Sequence, residues 1–170
     1  MTLIATDFHD VKTPFASQLS DELQVQQEYF ILKYIKSNVE FDPTPLFQHF
    51  SEDIRYASQQ VLNDLVGKDA VAEYMTGKSK TLKRKKHEWR YDFNRGYIDN
   101  VHCLNQPCML VELHDRPFCY VTLDVNSDKK IEAINLQHVF PPVGNVKCVE
   151  LFSFEELPDY RMEEGGADAR

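Results

Sequence analysis

Glu112, His87 and Tyr34 are the side chains of this 170-residue chain whose surroundings could turn them to chemistry. Glu112 stands between Val111 and Leu113, so the alternation of a strand sets it against either solvent or the interior. Turned inward, a carboxyl loses hydration, its pKa rises, and it becomes able to exchange a proton near neutrality. His87, two residues before Trp89, reads either as an acid–base group or as a histidine at the rim of a sheet. Tyr34 falls in a helical stripe with Leu23, Phe30, Ile31 and Ile35. A hydroxyl there either finds a partner in the core or polarises a ligand carbonyl. Gln27 lies in the same stripe, satisfied in the core or pointing into a cavity. His138 and Asn135, on opposite faces of a late strand, stay equally open.

Other constellations lead less far. Cys103, Cys108, Cys119 and Cys148 form no C-x-x-C pair, and Cys103, Cys108 and His102 match no standard zinc spacing, so no metal is expected. Reduced thiols point to a cytoplasmic protein. The run from Lys78 to Lys86 carries six basic residues. Aromatic interleaving is missing until Trp89, and the whole chain has 19 basic against 27 acidic residues, a formal charge of −8. That balance disfavours nucleic acid and leaves a solvated edge that discourages aggregation. No nucleotide or other cofactor motif is present, no apolar run approaches the roughly 20 residues that span a bilayer, and the first ten residues have no secretion-signal pattern.

The elements that must position these groups follow from local patterns. Residues 1–19 read as an extension. A helix begins at Asp21, with acids in its first turn and Gln24 placed as in a capping box. A short helix follows Pro43 and Pro45, residues 54–61 read as extended, and a helix covers about 68–75. Beyond Gly77 the pattern becomes β-branched and aromatic, predicting strands over 82–93, 107–115, 117–125 and 130–140. Turn signals at 94–96, 105–107, 115–117 and 126–129 separate them and imply antiparallel hairpins. In the first strand, alternation groups His87, Trp89, Tyr91 and Phe93 on one face. Residues 143–162 form a C-terminal extension packing on the domain, and 163–170 a disordered tail. Content that is 42% hydrophobic suffices for one core, here residues 20–142.

Two stretches carry a resemblance: His49-Phe50-Ser51-Glu52-Asp53-Ile54-Arg55-Tyr56, and Leu65 to Tyr74 with its Gly67-Lys68-Asp69-Ala70-Val71 start. With Asp128-Lys129-Lys130-Ile131 and Ile134 near the end, they resemble the nuclear transport factor two-like superfamily over about residues 21–140. That superfamily includes ketosteroid isomerase, scytalone dehydratase and polyketide cyclase-like proteins. The resemblance implies an α+β, cystatin-like cone, a curved antiparallel sheet wrapped around N-terminal helices. Isomerase chemistry of the ketosteroid type would need a tyrosine on the first helix, a carboxylate base and a protonated acid on a late strand. Tyr34 suits the first role, but the other positions fall near Ser58 and near Tyr120 or Val121, so that activity is disfavoured. The dehydratase pattern, histidines with tyrosines opposite, is matched better by His87, His102 and His114 with Tyr29, Tyr34 and Tyr56.

The expectation is therefore a pocket protein that binds or transforms a small, mostly apolar molecule. If an enzyme, it is a lyase, cyclase or hydrolase using Tyr34, His87 and Glu112. Gln27, Phe30, Tyr56, Trp89, Tyr91 and Tyr120 are the expected lining. Apolar residues on both sheet faces, Val111 and Leu113 against Leu110, predict a homodimer through the sheet. The alternative is a non-catalytic interaction module, which a filled cone would favour.

Overall fold

The computed structural model describes residues 17–18, 20–59, 63–99, 103–138 and 146–148. In chain order these form β1 (Ser17–Gln18), α1 (Asp21–Glu40), a 3-10 helix (Thr44–His49), β2 (Phe50–Ser58), β3 (Leu65–Val66) and α2 (Lys68–Lys85). There follow β4 (Tyr91–Ile98), β5 (Cys103–Leu104), β6 (Gln106–Leu113), β7 (Arg116–Val125), β8 (Ile131–Gln137) and β9 (Val146–Cys148). The proposed tail, 163–170, and most of 143–162 lie outside the described residues, as does His102.

The helix α1 starts where Ser20, in extended conformation, accepts from the Leu23 N–H at 3.3 Å, with Asp21 and Glu22 against the positive end of the dipole. It ends at Phe41, whose left-handed backbone (φ 55) lets its N–H return to the Ser37 and Asn38 carbonyls. Phe30, Ile31, Tyr34 and Ile35 are buried at helical spacing and enter one core with Ile54 and Tyr56 of β2 and Val121, Leu123, Ile131 and Ile134 of the late strands.

Seven strands form a sheet in the order β3-β2-β8-β7-β6-β4-β9. Every pairing in it is antiparallel except β2 with β8, which is parallel. The expected late hairpins are present, and their turns explain them. His114 and Asp115 both have positive φ, as a two-residue turn between β6 and β7 requires. Between β7 and β8, Asn126 Oδ1 accepts from the N–H groups of Asp128 and Lys130 at 3.0 Å.

Two expectations are corrected. Residues 82–93 are not one strand: α2 runs on to Lys85, a turn covers 86–88, and the strand begins at Tyr91. Gly77 does not stop the helix, because Val71, Met75 and Ser79, spaced at four residues, are all buried and hold it on the sheet. Lys83, Arg84 and Lys85 then sit in the last turn, against the negative end of the dipole. Likewise Asn94 to Gly96 is no turn but the middle of β4, where Asn94 pairs with Leu110 and Gly96 with Cys108.

Candidate functional site

Between the two helices and the concave face of the sheet lies a cavity of about 730 Å³. Each element contributes one face to it. β4 supplies Tyr91 and Phe93, β6 supplies Met109, Val111 and Leu113, β7 supplies Phe118 and Cys119, and β8 leads to Leu136 and His138. Residues two apart point the same way from a strand, so alternation alone selects these sets on β4 and β6. Tyr34 and Asn38 reach in from α1, one turn apart; from α2 come Tyr74, Lys78 and Leu82, again at four-residue spacing. Trp89, 36% exposed, stands at the edge with the Lys85 ammonium 4.0 Å from its ring.

The walls are mainly aromatic and aliphatic. Tyr91 stacks near Phe93 (centroids 6.2 Å, 15°), Trp89 meets Tyr91 edge-on, and Phe118 meets Tyr91 and His138 edge-on. Against them stands a small polar cluster. The half-buried Lys78 donates from Nζ to Tyr56 Oη at 3.0 Å, and the Tyr56 and Tyr74 rings are 4.9 Å apart. Burial pushes the hydroxyl of Tyr34 well up, that of Tyr56 to about 12, and that of Tyr74 up as well. The Cys119 thiol is pushed up to about 11 by burial, an effect that nearby Lys78 opposes. Burial drives the Lys78 ammonium the other way, below its ordinary value. Tyrosines and thiol are thus neutral at neutral pH.

His138 holds a second polar position. Its Nδ1 is 3.0 Å from the Phe118 carbonyl, which can only accept, so Nδ1 carries a proton there, and in the neutral ring the lone pair is on Nε2. Nε2 is buried and has no hydrogen-bond partner among the described residues.

The sequence-derived candidates divide. Tyr34, Trp89 and Tyr91 line the cavity together. Tyr56, fully buried, lies behind it and touches it through Lys78. His87 sits exposed in the turn after α2, apart from the lining, and His114 is exposed in the β6–β7 turn. Glu112, half-buried, alternates with Val111 and Leu113 and so faces away from the cavity. Phe30 is core, packed on His49, and Gln27 is buried with its Nε2 donating to the Leu123 carbonyl at 3.1 Å. Tyr120 lies in a separate apolar cluster with Ile98, Cys108 and Leu110 on the other sheet face, bonded to Gln137.

Lys78, Tyr74, Cys119 and His138 are the residues that sequence reasoning did not bring to the site. Lys78 was hidden in the basic run, yet its spacing of seven from Val71 and four from Tyr74 marks the inner side of a helix continuing past Gly77. Among the described residues, no group of three or more His, Cys, Asp or Glu could hold a metal ion, and no helix is long and apolar enough to cross a membrane.

The fold is shared with solved structures. A SnoaL-like protein of unknown function from Burkholderia thailandensis superposes with a TM-score of 0.50 at 11% identity, over 73% of this chain and 100% of the other. A steroid delta-isomerase from Pseudomonas aeruginosa gives 0.50 at 12% identity, over 74% and 87%. No family model matches the sequence, and no curated protein matches it. The architecture is thus an α+β cone of the kind these structures share, the fold that the sequence resemblance implies, and at such identities the likeness fixes the fold alone.

Proposed function

We propose that this chain is a pocket protein that binds, or transforms by histidine and tyrosine acid–base chemistry, a compact and mostly apolar molecule. One observation carries the reading: a cavity of about 730 Å³ with aromatic walls and a few polar groups at defined places. That size and composition suit small-molecule sites, where apolar area supplies affinity and sparse polar groups supply orientation. Should it be an enzyme of the lyase, cyclase or hydrolase kind, His138 is the histidine placed to accept a proton, with Tyr34 and Tyr74 as neutral donors. The ketosteroid mechanism stays disfavoured, since the carboxylate among the described lining residues is Glu73, exposed on α2. A cytoplasmic setting belongs to the same reading, with Cys108 and Cys119 in no disulfide.

Trp89 gives the test, being the single tryptophan and part of the lining. Titration with flat apolar compounds is expected to change its fluorescence saturably. If none does so while the protein stays folded, the pocket reading fails and the interaction-module reading leads.

A second reading, a homodimer through the sheet, rests on the apolar residues of both faces. Ile98, Cys108, Leu110 and Tyr120 on the outer face are buried within one chain, so pairing would engage the remainder of that face.

A further inference from the structure

We propose that the ligand of this cavity is an apolar carboxylic acid and that Lys78 is its counter-ion. The inference rests on the pocket reading and names the class of molecule.

Lys78 lines the cavity, yet its hydrogen bond goes to the neutral Tyr56 hydroxyl, and no carboxylate of the described residues lies within ion-pair distance of it. The groups facing it from each packed element are equally uncharged at neutral pH: Tyr34 of α1, Tyr56 of β2, Tyr74 of α2 itself and Cys119 of β7. Glu73 is exposed and forms no ion pair with it, and His138 lies at the end of β8. An ammonium taken partly out of water without a countercharge is unfavourable, and cores remove such groups unless something compensates. A bound carboxylate supplies the compensation.

Its oxygens would accept from Nζ and from neighbouring phenol hydroxyls, which match a carboxylate's need for donors only. The body of such an acid would lie along Tyr91, Phe93, Phe118 and Trp89. Lys83, Arg84 and Lys85 in the last turn of α2, with Lys85 over Trp89, place further positive charge beside the edge of the cavity, where it draws anions in. This gives the basic run of an acidic protein a role beyond solubility.

The experiment pairs acids with their neutral esters, 2-naphthoate with methyl 2-naphthoate and 4-phenylbenzoate with its methyl ester, by calorimetry at pH 7. Wild-type protein is expected to prefer each acid by tenfold or more. Lys78→Met is expected to keep ester binding and lose the preference, with Lys78→Gln as a second variant should the first not fold. Equal affinity of acid and ester for the wild type, or a preference that survives in both variants, overturns the proposal while leaving a binding pocket. Failure of all four compounds to bind removes the pocket reading and this proposal with it.

Discussion

Lys78 Nζ donates to Tyr56 Oη across 3.0 Å, joining the inner side of α2 to the middle of β2 at the wall of the cavity. A cation held on a neutral phenol is poorly compensated, and a stability effect follows. Lys78→Met keeps most of the apolar stem and removes the charge, so it is expected to raise stability by about 1 kcal/mol. Urea denaturation checks this. A loss of comparable size would mean that the ammonium has a partner worth more than its desolvation costs.

Alkali should loosen the fold. Tyr56 moves from 10.0 to about 12 and Cys119 from 9.0 to about 11 on folding, so at neutral pH both are protonated in folded and unfolded chains alike. Above their ordinary values the unfolded chain ionises first, and stability falls until the folded groups ionise too. Each contributes about 2–3 kcal/mol to that fall between pH 9 and 12. Lys78 acts oppositely, because its lowered value means that losing the proton favours the fold. The decline should therefore be steeper in Lys78→Met than in wild type. Stability that stays level from pH 9 to 11 would contradict this.

Gly77 sits inside α2, and a Cβ built on it meets nothing within 4 Å. Gly77→Ala is expected to stabilise the protein by about 0.5–1 kcal/mol through helix propensity and a less flexible unfolded chain. Thermal unfolding reads the effect. A destabilised variant would show that helical geometry at position 77 is not what holds α2 together.

For the dimer, light scattering at micromolar concentration should give twice the 19.8 kDa chain mass. The monomer mass would end that reading and leave the cavity untouched.

Much of the fold was legible because its signals are local. β6, β7 and β8 fall within three residues of the ranges read from alternation and turn residues, since a hairpin is specified by its own turn. The parallel pairing of β2 with β8 had no such signal; it joins Phe50 to Ile131 and Tyr56 to Ile134, nearly half the chain apart, through the shared core of Ile54, Tyr56, Ile131 and Ile134. The end of α2 was missed because glycine and a charged run look like a helix stop, whereas burial of Met75 and Ser79 carries the helix through. That single misplacement also hid the site: read as an edge of strand, Lys78 belongs to solvent, but on a continuing helix it falls beneath Tyr74. Tyr34 and Tyr91 came through because helical and strand periodicity alone set their directions, whereas Trp89 lies before the start of β4 and His138 just past the end of β8, where periodicity stops informing.

The most direct test of the cavity as a binding site is a map of methyl and amide chemical shifts by heteronuclear NMR during titration with 2-naphthoate. Saturable shifts are expected, concentrated at Thr81, Met109, Val111, Leu113 and Leu136, which line the cavity, with Leu46 and Ile54 in the core unmoved. Shifts centred instead on Ile98, Leu110 and Tyr120 of the opposite face, or no saturable shifts at all, would contradict it.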